Sequence, residues 1–298
     1  MKHPESVITK KKIKWDFSNS SGLLRWDGVH TVCEESVCPN RAECSQLNTA
    51  TFLIGGKYCT RNCLFCRVEH GRPPSLNDIR DIEKNEIFEA VKKLGLKFVV
   101  ITSVTRDDDP EGLARHFQDI CVGLKKMGLG VELLIPDFHR DVALLELIAS
   151  AAPDVIAHNI ETVSRLSPDI RPQASYKKSM EVLQYYIQHY PKIMVKSGFM
   201  LGLGETMHEI KETLTDLKLA GVNMVTIGQY LRPGTEQAPV EKYYTEQDFA
   251  EIKQLALETG IRQVEAGFFT RSSFRAVEMF SGETARPLFD EKYMDKKA

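Results

Sequence analysis

The sequence has no stretch of the roughly 18–20 consecutive apolar residues that a membrane helix requires. Its first fifteen residues are polar and lysine-rich, with no apolar run behind them. Neither a signal peptide nor a transit peptide is expected, no membrane contact is expected, and the expected location is the cytoplasm. There is also no surplus of either charge. Lys+Arg number 39 and Asp+Glu 41, a formal net charge of −2, so nucleic acid and anionic lipid are not expected as main partners. Internal repeats and low-complexity blocks are absent. At 42% apolar and 27% charged over 298 residues, the chain is neither disordered nor collagen-like. Cysteine is sparse, with seven in all, but six of the seven lie between Cys33 and Cys66. In a reducing compartment such clustering points to metal binding before disulfides.

Short apolar runs bounded by polar residues or glycine occur at 51–55, 97–102, 130–136, 154–158, 193–200 and 222–228. Longer amphipathic stretches at 79–94, 110–127, 141–151, 175–190 and 206–220 separate them. This alternation predicts βαβ units and a parallel sheet. Runs such as Phe98-Val99-Val100-Ile101 are apolar on both faces, as strands covered on both sides must be. The pattern alone allows a partial barrel or a doubly wound sheet. In a barrel, chemistry follows the C-terminal ends of strands, and polar groups follow these runs: residues 103–109, Asp137, 159–162, 202–205 and 229–232. Residues 1–30 read as an extended arm with a short helix near 21–26.

The second cysteine group is Cys59-x3-Cys63-x2-Cys66, directly after the first expected strand. Soft thiolates suit iron–sulfur clusters or zinc. Zinc normally takes a fourth Cys or His at close spacing, and His70 is the available one. Three thiolates with no fourth ligand would hold three irons of a cubane and leave the fourth open. The first group, Cys33-x4-Cys38-x5-Cys44, is again a triplet. It reads as a second cluster, or as a zinc site completed by His30 or a distant residue. Cys121 falls in mid-helix and reads as a small apolar packing residue.

The Cys59–Cys66 loop, with aromatic Phe65 before the last cysteine, resembles the signature of the radical S-adenosylmethionine (SAM) superfamily. That resemblance implies a full or partial (β/α) barrel with this loop after strand one, and a 4Fe-4S cluster whose open iron chelates SAM. One-electron reduction of the sulfonium then gives methionine and a 5′-deoxyadenosyl radical that abstracts hydrogen from an unactivated carbon. The expected fold is thus α/β: a partial (β/α)6 barrel over residues 49–262. An N-terminal cluster-binding arm (1–48) precedes it and a C-terminal extension (263–298) follows.

Within that superfamily the chain resembles the lipoyl synthase family. The matching stretches include Cys33-Glu34-Glu35, Cys38-Pro39-Asn40, Glu43-Cys44, Cys59-Thr60-Arg61, Arg106-Asp107-Asp108, Leu134-Ile135-Pro136-Asp137-Phe138 and His158-Asn159-Ile160-Glu161-Thr162. Lys196-Ser197-Gly198, Gly202-Leu203-Gly204-Glu205-Thr206 and Arg271-Ser272-Ser273 follow. They run in the family's order over residues 33–276. The resemblance implies insertion of two sulfurs, at C6 and C8 of an octanoyl chain on a carrier lysine. The carrier is a lipoyl domain or the glycine-cleavage H protein. It further implies a second 4Fe-4S cluster on Cys33, Cys38 and Cys44 as sulfur source, with Ser273 as its fourth ligand and Ser272 as second choice. An electron donor such as ferredoxin or flavodoxin, and an Fe–S assembly or repair protein, are the implied partners of a monomer.

Some positions carry two readings. Without the resemblance, Arg271-Ser272-Ser273 reads as a helix N-cap before Phe274. Asn159, Glu161, Arg171 and Phe65 are candidates for binding SAM, though Asn159 also suits a turn and Glu161 a helical pair with Arg165. Residues 106–109 read as a ligand-holding or a solvated loop. Gly202-Leu203-Gly204 reads as a ligand approach or a plain turn. The chain departs from the family at Phe274, where tyrosine is usual, and around residues 234–238 and 265–270. These departures leave open a paralogue that inserts sulfur into a different substrate, such as a tRNA base. A non-catalytic zinc protein is the third reading.

Overall fold

The structure is a computed structural model that describes residues 48–281. Cys33, Cys38, Cys44 and the expected helix at 21–26 lie outside the described residues. Seven strands form one sheet: β1 (Thr49–Ile54), β2 (Phe98–Ser103), β3 (Gly130–Leu134), β4 (Val155–Ala157), β5 (Met194–Leu201), β6 (Met224–Gln229) and β7 (Gln263–Gly267). They pair in sequence order, and every pair is parallel. Between them run α1 (Leu76–Leu94), α2 (Pro110–Lys126), α3 (Val142–Ser150), α4 (Ser167–Ile170), α5 (Tyr176–His189), α6 (Met207–Ala220) and α7 (Glu246–Glu258), with α8 (Ala276–Ser281) last.

Local chemistry sets most boundaries. The Ser75 hydroxyl accepts from the Asn77 N–H, so α1 begins three residues before the expected position. Asp109 caps α2 with Pro110 at its first turn, where a missing N–H costs nothing. Thr206 with Glu209, and Thr245 with Asp248, form reciprocal capping boxes at α6 and α7.

The six strand–helix units expected are present, and a seventh strand extends the sheet. The expected barrel boundary at residue 262 falls directly before β7, which pairs with β6 from Met224↔Gln263 to Gly228↔Gly267. Neither α7 nor β7 was legible as a unit, because β7 reads Gln-Val-Glu-Ala-Gly and only Val264 is buried. An edge strand does not need the apolar run that marks a central one.

Alternate residues separate the two faces of the sheet. Val99, Ile101, Val131, Leu133, Val195 and Ile227 pack outward with Leu113, Phe117, Leu145, Leu183 and Leu214 of the helices. Phe98, Val100, Val155 and Met224 face inward, and Ala276 and Met279 of α8 pack against them. The extension therefore returns into the concave side, with the Phe98 and Phe280 rings 5.6 Å apart. Glu132 and Lys196, each 1% exposed, form an ion pair at 3.0 Å. Burial pushes the Glu132 carboxyl up, and Lys196 opposes this.

Candidate active site

The loop after β1 is held by groups from the ends of several strands. Gly55 and Gly56 donate to the Glu83 carboxylate of α1 at 3.0 and 2.9 Å, which also meets His116 Nε2 at 2.7 Å. The Thr60 N–H and hydroxyl both donate to the Thr105 carbonyl after β2. Leu64 N–H donates to the Ile170 carbonyl, and Ala238 N–H donates back to Leu64. The loop is thus pinned before any ligand binds.

Arg61 is the central pin. Its guanidinium donates Nε and Nη2 to Asp107 at 2.7 and 2.8 Å. Nη1 and Nη2 donate to Asp137, after β3, at 2.8 and 2.7 Å. Burial pushes the Asp137 carboxyl up, but the Arg61 hydrogen bonds and charge outweigh it and hold that carboxyl well below the usual range. The backbone just beyond is strained: Phe138, His139 and Arg140 have φ of 42, 50 and 63°, a conformation bulky residues rarely adopt. His139 Nε2 lies 2.8 Å from Asp107 and its N–H donates to Asp137, so the strained turn closes the same network. Sequence reasoning placed Asp137 at a strand end and Arg61 in a motif but did not connect them.

The three thiols have the surroundings a cluster needs. The Cys59 sulfur accepts from the N–H groups of Arg61 and Thr105 at 3.4 and 3.3 Å, and the Cys66 sulfur from Val68 at 3.4 Å. Such hydrogen bonds stabilise cluster thiolates and tune them. Burial pushes the Cys63 thiol up to about 12, with Arg171 opposing and Cys66, Glu161 and Cys59 adding to the rise. Burial likewise raises Cys66 to about 11. Without a metal Cys63 and Cys66 stay protonated; a bound metal removes the proton outright. No group of three His, Cys, Asp or Glu side chains converges on one ion among the described residues.

Asn159, Glu161 and Arg171 come together beside Cys63. Burial pushes the Glu161 carboxyl up, with the Arg171 charge and a hydrogen bond with Asn159 opposing the rise. Arg171 is buried, and its Nη1 donates to the Ile160 carbonyl at 2.8 Å and to Ser179 Oγ at 3.3 Å. His158 completes the layer beneath, between the Ile135 carbonyl and Ser179. Burial, then the Arg171 charge, lower it to about 4, so it is neutral near pH 7. The alternative pairing of Glu161 with Arg165 is corrected. Glu161 sits at φ 66° outside any helix, and Arg165 pairs with Glu209 at 2.6 Å. Phe65 is half-buried against Val163, Leu166, Ile170, Leu203 and Tyr230.

Other candidates resolve into structural roles. Arg106 is buried and donates to Asp108, Gly55 and Pro74, so that side chain is spent on holding the loop, while Asp108 is exposed. The Gly202 and Leu203 N–H groups donate to the Glu205 carboxylate at 2.6 and 2.9 Å, which closes the turn. Cys121 is buried, with its thiol on the Ala151 carbonyl. Ser272 and Ser273 are half-buried in a turn, and α8 starts only at Ala276, so Ser273 is not the residue that precedes the helix. Just before them, the Thr270 carbonyl lies where a Cβ on Gly228 would be, 2.1 Å away, and Arg271 reaches the Gln229 carbonyl. The serine segment is therefore docked on the end of β6.

The profile of the radical SAM superfamily matches residues 53–217. A lipoyl synthase of Rubrobacter xylanophilus is 48% identical over 258 residues, 86% of this chain and 79% of that one. One of Caldicellulosiruptor bescii is 44% identical, covering 93% and 94%. Among solved structures, Streptococcus suis SuiB bound to S-adenosylmethionine superposes with TM-score 0.54 at 13% identity, over 76% of this chain and 53% of that one. The FeFe-hydrogenase maturase HydG of Carboxydothermus hydrogenoformans gives 0.55 at 12% identity, over 79% and 66%. These two share the fold. With the cysteine loop seated at the end of β1, the profile match and the close relatives together show that the chain belongs to the lipoyl synthase family of the radical SAM superfamily.

Proposed function

We propose that the two cysteine triplets divide the work of a lipoyl synthase between them. The chain is a radical SAM sulfur-inserting enzyme of that family. In this reading Cys59, Cys63 and Cys66 hold a 4Fe-4S cluster with one open iron, and Cys33, Cys38, Cys44 and Ser273 hold a second. When bound, the first cluster and SAM supply a hydrogen-abstracting radical, and the second cluster supplies sulfur.

The residues of the chain then have distinct tasks. Cys59 and Cys66 receive backbone N–H groups at sulfur, which favours the thiolate. Arg61 holds the loop against β2 and β3. Asn159 and Glu161 present polar oxygens beside Cys63, suited to the amino or ribose groups of SAM. Arg171 keeps its Nε and Nη2 donors for a carboxylate, since Nη1 is used on Ile160 and Ser179. Phe65 and its apolar neighbours exclude water on one side. Ser273 would be a hard alkoxide ligand, a poorer match for iron than thiolate, and so releases more readily when the cluster gives up sulfur.

The substrate is an octanoyl chain on the lysine of a lipoyl carrier domain or the glycine-cleavage H protein. A one-electron donor and an Fe–S assembly protein serve turnover in the reducing cytoplasm. The observation that carries this reading is the cluster-ready thiol set beside Glu161 and Arg171. Identities of 48% and 44% to lipoyl synthases disfavour a paralogue with another substrate. The test is an anaerobic turnover of reconstituted protein with SAM, dithionite and an octanoyl-lysine carrier peptide, read by mass spectrometry. Under dithionite the dithiol product is expected, with two added sulfurs and no net change in hydrogen; oxidation to the cyclic disulfide on work-up would remove two hydrogens. Reductant-dependent 5′-deoxyadenosine with an unchanged peptide would overturn the substrate assignment.

A further inference from the structure

The loop that carries the three cysteines also forms the surface outside them. Cys59 N–H donates to the Glu69 carbonyl at 2.8 Å, and Gly71 N–H donates to the Cys59 carbonyl at 2.9 Å. Residues 57–60 and 69–72 therefore run side by side as a narrow ribbon, bridged at Cys59 and His70. Along this ribbon and the loop that joins its two arms, Lys57, Tyr58, Arg67, His70 and Arg72 are exposed. Tyr58 is 39% exposed, and its ring lies over Gly71, where an added Cβ would stand 3.6 Å from it.

The charge here runs against that of the whole chain, which is −2. Lys57, Arg67 and Arg72 are exposed with a single acid in the loop, Glu69, while Glu83 and Glu86 of α1 line the hollow beside Lys57 and Tyr58. None of the three basic residues forms an ion pair among the described residues, whereas Arg61, on the inner side, is saturated by Asp107 and Asp137. A loop surface with a surplus of exposed basic side chains and an exposed aromatic is the composition of a transient docking face. Its position is specific. Cys59 follows Tyr58, Cys66 precedes Arg67, and the Cys66 sulfur is hydrogen-bonded to the Val68 N–H. Two of the thiol-bearing residues are thus direct chain neighbours of residues on this face. Electron tunnelling falls steeply with distance, so a reductant gains most by docking where the acceptor is nearest the surface.

We propose that the Lys57–Tyr58–Arg67–Arg72 face docks a small acidic one-electron carrier protein; this rests on the reading of Cys59, Cys63 and Cys66 as cluster ligands. In the transfer the carrier loses one electron, an anionic flavin hydroquinone becoming the neutral semiquinone. The cluster gains that electron, and no atom moves. Such electron-transfer encounters need little area, which fits a ribbon of this size. An octanoylated carrier must instead deliver its chain to the mouth among the strand ends, where Glu161 and Arg171 lie.

The test uses the reconstituted full chain and a Lys57→Glu/Arg67→Glu/Arg72→Glu variant, with a Lys57→Gln/Arg67→Gln/Arg72→Gln variant in case charge reversal disturbs the loop. The probe is flavodoxin. Its affinity is read by fluorescence anisotropy at low and high salt, and 5′-deoxyadenosine formation is compared with reduced flavodoxin and with dithionite. At low salt, affinity is expected to weaken by about tenfold or more in the reversal variant, and the gap to close at high salt. The flavodoxin-driven rate should fall in parallel while the dithionite-driven rate stays within about twofold. Unchanged flavodoxin affinity in both variants would overturn the proposal. So would unchanged flavodoxin affinity with a raised KM for the octanoylated carrier, which would assign the face to the substrate protein. Failure of the unsubstituted chain to form 5′-deoxyadenosine with dithionite would overturn the underlying cluster reading, while the affinity comparison would still decide the face.

Discussion

Replacing Arg61 with glutamine tests whether the cysteine loop is held by its charge network. The substitution removes four hydrogen bonds of 2.7–2.8 Å. Asp107 is 26% exposed and can turn to water, but Asp137 is 1% exposed and cannot. Removing one partner of a buried pair costs about 3–5 kcal/mol, because the remaining charge is stranded. For a chain of this length that is a fall in Tm on the order of 10 °C. The pH dependence changes sign as well. With Arg61 present, the Asp137 carboxyl is held below its unfolded value, so its contribution is complete above about pH 4 and is lost only in strong acid. Without Arg61, burial is opposed only by the His139 N–H and the smaller influence of His158, and the folded value is expected to rise above the unfolded one. The variant then gains stability as pH falls through that raised value, where the parent chain gains nothing from this group. Thermal unfolding at about pH 5.5 and pH 8 measures both effects. Adding Asp137→Asn to the variant removes the stranded charge and is expected to recover at least half of the loss. A loss below about 1 kcal/mol, or no recovery in the double variant, would refute the argument.

Gly228→Ala would drive a Cβ into the Thr270 carbonyl, 2.1 Å away, at a cost of about 1–3 kcal/mol. It displaces the serine segment, so thiolated product is expected to fall and about half of the iron to be lost, while 5′-deoxyadenosine persists; iron analysis and mass spectrometry check this. Glu132→Gln strands Lys196 inside the barrel and is expected to cost about 3–5 kcal/mol. Glu132→Leu/Lys196→Met, by contrast, should lie near the parent in Tm, since apolar replacement of a buried pair is often neutral. Cys121→Ala, far from the loop and bonded only to the Ala151 carbonyl, is expected to cost no more than about 2 kcal/mol and to leave iron content and turnover unchanged.

The cysteine loop, the first six strands and the superfamily chemistry were legible in the linear sequence. Each rests on near neighbours: spacing within Cys59–Cys66, apolar runs, and capping residues such as Asp109 and Thr206 that act over three positions. Tertiary structure decided the rest, because the deciding contacts span long separations. Arg61 meets Asp107 and Asp137 46 and 76 residues away, and no local pattern marks such a pair. Glu161 took Asn159 and Arg171 as neighbours instead of Arg165, since the chain there is a strained turn and not a helix. The seventh strand was hidden by its edge position, where a half-exposed strand carries little apolar signal. The inward path of α8, which anchors the serine segment against the inner face, follows from Phe98, Val155 and Met224 meeting Met279 and Phe280. An apolar hexamer states that it must be buried; only the assembled sheet states against what.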